Sequence, residues 1–135
     1  MVPFQKKRES GEYGVMPHSD KPIIGILGSD SLSWIDVFRY VSPDWCGEIV
    51  GGGENCVDHC VQEWCAKHKI EYISFAPNYK IWGRRYGHER RNDDVASYVD
   101  NLIYFWDNKD SEVIQLVQKC NQLEVPYRIH VMEER

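Results

Sequence analysis

Between residues 22 and 132 short apolar runs alternate with amphipathic stretches. The segments IIGIL (23 to 27), EIV (48 to 50), IEYISFA (70 to 76), NLIYFW (101 to 106) and YRIHVM (127 to 132) have the length and content of strands. Between them Leu32, Ile35, Phe38 and Val41 recur at helical spacing. Val57, Cys60, Val61, Trp64 and Cys65 do the same, as do Val113, Ile114, Leu116, Val117, Cys120 and Leu123. These sets predict the inward faces of three helices. A fourth, shorter helix is predicted over Asn92 to Val99, with Asp93 and Asp94 favoured in its first turn by the helix dipole and Val95, Ala96 and Val99 turned inward. The strict β-α alternation predicts an α/β chain, a Rossmann-like, doubly wound five-stranded parallel sheet with helices on both faces. Residues 1 to 21, polar and charged, are read as an arm beside a single domain of residues 22 to 135.

In such a sheet ligands bind beyond the carboxyl ends of the strands. Those ends fall at GSDS (28 to 31), GGGEN (51 to 55), residues 77 to 92, and WDNKDS (106 to 111). Gly51, Gly52 and Gly53 sit between a strand and a helix, where backbone N–H groups can hold a phosphate or carboxylate. The same run also suits a tight turn, with Asn55 as helix N-cap and Asp58 reaching back to it. The segment 77 to 92 is expected to be a loop, and its length of about sixteen residues exceeds the usual connection. It carries Lys80, Arg84, Arg85, Arg90 and Arg91 against a single acid, Glu89, together with Tyr79, Trp82 and Tyr86. Arginine forks suit phosphate, and aromatic faces suit a base or simply anchor the loop.

Composition narrows the partners. The chain has 135 residues, 42% hydrophobic, with a formal net charge of -5. That size supports one core without disulfides, and the charge argues against nucleic acid as a general partner. No apolar run approaches the roughly 18 residues of a membrane span, and no apolar signal segment opens the chain, so a cytoplasmic protein with no membrane partner is expected. Five cysteines, an odd number without CxxC spacing, fit reduced thiols. Cys56, His59, Cys60 and Cys65 lack the spacing of a metal site, and Cys60 and Cys65 share the apolar stripe of their helix. No metal or cofactor is expected. Of His18, His68, His88 and His130, only His88 lies among the basic residues at the ligand edge.

Several positions are informative together. Gly28-Ser29, then Gly51, Gly52 and Asp58, then Pro77, Trp82, Gly87, Arg91-Asn92 and Tyr98-Val99-Asp100, with NLIYFWD, form a set. Over about residues 22 to 132 the chain resembles a small Rossmann-like family of unknown function in the SLOG superfamily, which includes the DprA-like and LOG-like proteins. It departs from that family's pattern at Asp30, where an arginine is usual, at Val50 and Cys56, and along Asn108 to Val113, where two glycines and a threonine are replaced. Asp110 and Glu112 bring negative charge there.

The resemblance implies a nucleotide or nucleotide-derived phosphorylated small molecule as ligand at the carboxyl edge. Its phosphate would lie near Gly28, Ser29, Gly51, Gly52, Gly53 and Asp107 and pair with Arg90 or Arg91. Asn92 would bond a polar edge, and Tyr79 or Trp82 would cover the base. Two alternatives stay open. One is hydrolysis of the N-glycosidic bond of nucleoside monophosphates, as in the LOG-like branch, with Glu54 or Asp58 as the catalytic carboxylate. The other is an oligomerisation or scaffold domain whose site has decayed. A homo-oligomer is expected on either view.

Overall fold

A computed structural model describes residues 21 to 132 of the chain. The predicted arm, Lys21 excepted, lies outside the described residues. Five strands, β1 (Ile23–Gly28), β2 (Glu48–Gly51), β3 (Glu71–Ser74), β4 (Asn101–Trp106) and β5 (Tyr127–Val131), form one sheet in the order β3-β2-β1-β4-β5. Every pairing is parallel. Four α-helices connect them: α1 (Val37–Tyr40), α2 (Cys56–His68), α3 (Tyr79–Tyr98) and α4 (Glu112–Leu123). This is the α/β, Rossmann-like architecture expected from the alternation.

Side-chain alternation along the central strands divides the interior into two cores. On β4, Ile103 and Phe105 join Ile24, Ile26 and Ile49 from the other strands and Val57, Val61 and Trp64 from α2. Leu102 and Tyr104 face the opposite way, toward Val95, Ala96 and Val99 at the end of α3 and Val113, Leu116 and Cys120 of α4. Both faces are therefore covered, and continuous burial explains the unbroken apolar runs of β1 and β4. Each fully buried Ile, Leu or Phe contributes roughly 1.5–3 kcal/mol relative to exposure. No helix among the described residues is long and apolar enough to cross a membrane.

Two helices differ from expectation. The first is only four residues long: Leu32, Ile35 and Val41 are buried, but most of their segment is an irregular connection, and Phe38 is 62% exposed. Apolar residues spaced three apart also fit a connection pressed onto the sheet, so their spacing did not settle helix against coil. The second difference matters more to the site. Residues 79 to 91 are helical, not a loop, so α3 begins thirteen residues before Asn92. Its inward side reads Gly87, Arg91, Asn92, Val95 and Ala96, polar through its first half, and such a face carries no apolar periodicity to announce a helix. Asn78 caps the helix by accepting from the Ile81 N–H at 3.2 Å.

One residue interrupts α3. Gly83 adopts φ 77° and ψ 175°, a backbone region that is essentially glycine-only. A Cβ at Gly83 would meet no atom within 4 Å, so conformation and not crowding selects glycine. The strand order reverses between β1 and β4, where the chain crosses from β3 back over the sheet through α3. The crevice at this reversal is the standard ligand position in open α/β sheets.

Candidate functional site

The glycine loop leaves β2 and enters α2. Its capping box forms as the sequence predicts: the Asp58 N–H donates to Asn55 Oδ1 and the Asn55 N–H donates to Asp58 Oδ2, each at 3.0 Å. Asp58 does more than cap. Its Oδ1 accepts from the Gly52 N–H at 3.0 Å and its Oδ2 also accepts from the Glu54 N–H at 2.8 Å. The loop is thus an anion receptor whose anion is the chain's own buried carboxylate. The protein's own side chains also demand the small residues. A Cβ at Gly51 would strike the Tyr72 hydroxyl, and one at Gly52 would strike the Arg91 guanidinium. Gly53 has φ 71° and lies against Ser74.

Above this loop, side chains from three elements converge. Arg91, on the inward face of α3 and 7% exposed, donates from Nη1 to the Gly52 carbonyl at 3.3 Å and from Nε to Asn92 Oδ1 at 2.8 Å. Its Nη2 lies 3.8 Å from Glu54 Oε2 and 3.7 Å from Glu112 Oε2. Asn92, fully buried, donates to the same Glu112 oxygen at 2.8 Å. His88, one turn earlier on α3, places Nδ1 3.3 Å from Glu112 Oε2 and 3.7 Å from Glu54 Oε2. A guanidinium this enclosed persists only when carboxylates and carbonyls answer it, which Glu54, Glu112 and Gly52 do.

Tyr79 opens α3 and closes the cluster. Its hydroxyl lies 2.9 Å from Glu54 Oε1, 3.1 Å from Glu54 Oε2 and 2.8 Å from His88 Nε2. Burial first, and then the Glu54 carboxylate, push the Tyr79 phenol up to about 12, so it holds its proton and donates it. Glu54 is the one carboxylate of the pair proposed for catalysis that reaches solvent, its side chain being 24% exposed, whereas Asp58 is 3% exposed.

The loop after β4 is tied down internally. Ser29 donates to Asp110 Oδ2 at 3.0 Å and accepts from the Asp107 N–H at 3.1 Å, and the Tyr104 hydroxyl also donates to Asp110. Burial, then the Asp110 carboxylate, push the Tyr104 phenol up. Asp110 Oδ1 accepts from the Glu112 N–H, the first of α4, at 2.7 Å. Asp107 accepts from the Ser31 hydroxyl at 2.6 Å and from the N–H groups of Lys109 and Asp110, each at 2.8 Å. The Ser31 bond leads the causes that hold its carboxyl at about 2. Asp110 and Asp107 are thus structural anions of this turn.

The predicted residues therefore separate into groups. Gly52, Glu54, Asp58, Tyr79, Arg91 and Asn92 are brought together with His88 and Glu112. Gly28 packs on Val57 and lends its carbonyl to Asn55, while Ser29 and Asp107 hold the fourth loop. Arg90 and Trp82 pair with each other on exposed turns of α3, the guanidinium 4.8 Å from the indole centroid, an arrangement that follows from residue 90 being helical. Tyr72 and Ser74 under the glycines, and Glu112 beside Arg91, were not anticipated as partners. Tyr72 and Ser74 share one face of β3 by simple alternation, which is the signal that places them.

A cleft of ≈ 540 Å³ lies between α3 and α4, lined among others by Arg85, His88, Glu89, Glu112, Gln115 and Gln118. That volume is in the range of small-molecule sites, and His88 and Glu112 connect it to Glu54. No protein-family model matches the chain, and neither a curated protein nor a solved structure matches it.

Proposed function

We propose that the protein binds a nucleotide or nucleotide-derived phosphorylated small molecule at the carboxyl edge of its sheet, in the cleft between α3 and α4 and against Glu54. The observation that carries this reading is the convergence of Glu54, His88, Arg91 and Glu112 from three elements beside a cleft of ligand size. The SLOG resemblance supports the ligand class. Because Asp58 takes the N–H groups of Gly52, Glu54 and Asn55, the phosphate belongs outside the glycine loop. Arg85, exposed on α3, lines the cleft and supplies positive charge there.

A second reading, cleavage of an N-glycosidic bond, is favoured by Glu54. Tyr79 orients both of its oxygens, and the carboxylate is open enough to face a sugar and stabilise oxocarbenium charge or direct water. Calorimetry with a panel of nucleoside mono- and diphosphates is expected to give saturable binding to at least one, weakened by Arg85→Glu. Free base is expected from a bound monophosphate, with release abolished by Glu54→Gln. A silent panel ends the binding reading; binding without base release ends the hydrolytic one.

A further inference from the structure

Beyond the glycine loop and α3, the exit of β1 contributes to the same edge. Asp30, exposed just after Ser29, is steadied by Asn55, whose Nδ2 donates to Asp30 Oδ1 at 2.8 Å and to the Gly28 carbonyl at 2.9 Å. One ligand atom from each of Asp30, Glu54 and His88 falls within 4.8 Å of the others. Their backbones belong to three separate segments, so the convergence is a product of the tertiary fold and not of a local acidic run. Two carboxylate oxygens and an imidazole nitrogen form a donor set suited to a divalent first-row ion. Asp30 and Glu54 are exposed, which leaves coordination positions for water or for a ligand oxygen.

Charge points the same way. Within 4 Å of the Glu54 and Glu112 carboxylates, the one guanidinium among the described residues is that of Arg91, and it is shared between them. Asp30 adds a further carboxylate near Glu54. A bound divalent cation offsets the repulsion that these carboxylates exert on an anionic ligand.

We propose that Asp30, Glu54 and His88 bind a divalent cation of the Mn²⁺ class. Asn55 and Tyr79 act as positioning residues, fixing Asp30 in one case and both Glu54 and His88 in the other. The bound ion offers its open positions to a phosphate oxygen of the incoming molecule; this last step rests on the nucleotide reading, whereas cation binding does not.

Mn²⁺ alone is the appropriate probe, because it prefers oxygen and nitrogen donors and so passes over the exposed thiol of Cys56. Titration of the full chain, followed by the loss of free-Mn²⁺ electron paramagnetic resonance signal, is expected to show one saturable site. Asp30→Asn and His88→Gln are each expected to weaken it by about tenfold or more, while Asp44→Asn, on an exposed turn elsewhere, leaves it unchanged. Circular dichroism confirms that each variant is folded. Absence of saturable binding, or wild-type affinity in folded Asp30→Asn, overturns the site. A repeat of the nucleotide panel with Mn²⁺ separates the two claims. Mn²⁺ binding without any nucleotide binding keeps the cation site and removes the nucleotide reading. Nucleotide binding to a chain that takes no Mn²⁺ does the reverse.

Discussion

Asp58 decides what the glycine loop can do. Three backbone N–H groups end on its carboxylate, and the Arg91 guanidinium lies close by over Gly52. Removing the carboxylate leaves the buried Gly52 N–H and the part-buried N–H groups of Glu54 and Asn55 unpaired, at a cost of roughly 1–3 kcal/mol. Asp58→Ala is therefore expected to lower the melting temperature, and added sulfate or phosphate is expected to restore part of it by entering the vacated receptor. The wild-type protein gains nothing comparable from the same anions. A variant indifferent to sulfate means that the loop collapses without its carboxylate, and the receptor description fails. At this scale the sequence was partly legible. Asn55 and Asp58 announce their capping box through spacing alone, because a cap is local. The contacts of Tyr72 with Gly51, Arg91 with Gly52 and Glu112 with Arg91 span long separations, and no local rule contains them. The Asp30, Glu54 and His88 set escaped for the same reason: spacing rules for metal ligands find sites built within one element.

Helix α3 is the element on which the site depends, and it was the least legible. Its inward face begins with Gly87, Arg91 and Asn92, which pack into the polar cluster and not into a core, so the apolar stripe that marks a helix is missing there. The last turns, with Val95, Ala96 and Val99 against the sheet, kept the stripe and were read correctly. Gly83 separates the turn bearing Tyr79 from the remainder of the helix. Substituting alanine there forces a residue with a Cβ into a glycine-only conformation, at about 1–3 kcal/mol, or lets the helix straighten and carries Tyr79 away. The second outcome has a spectroscopic signature. Tyr79 loses both burial and the Glu54 bond that raise its phenol to about 12, so its ionisation falls toward 10. Carbon NMR of the labelled tyrosine ring in Gly83→Ala reads this directly. The sign for stability follows: a raised phenol stabilises the folded chain fully below about pH 10, and this stabilisation is lost as pH rises through about 12; a variant whose Tyr79 titrates near 10 lacks it at every pH. An unmoved Tyr79 titration in a variant of full stability excludes the idea that Gly83 sets the position of the turn.

At the scale of the whole molecule the alternation of apolar runs was enough to give the sheet, because strands buried on both faces leave a signal that needs no knowledge of partners. Strand order was not in that signal, yet it determines how the site is assembled. The first three strands and α2 lie on one side of the reversal, β4, β5 and α4 on the other, and the backbone passes between them only through α3. Across the junction, β1 and β4 pair from Ile24 opposite Asn101 to Gly28 opposite Phe105, while Ile103 and Phe105 complete the core of the first three strands. The exposed break at Gly83 is therefore a natural place to divide the polypeptide. Fragments 1–83 and 84–135, produced together, are expected to reassemble and co-elute as one species, whereas two separately eluting fragments mean that covalent continuity of α3 is required. Glu54 and Tyr79 travel with the first fragment, His88, Arg91 and Glu112 with the second. Neither piece owns the site, so the constellation comes into being only on reunion, which makes it a reporter of complementation between two halves of one chain.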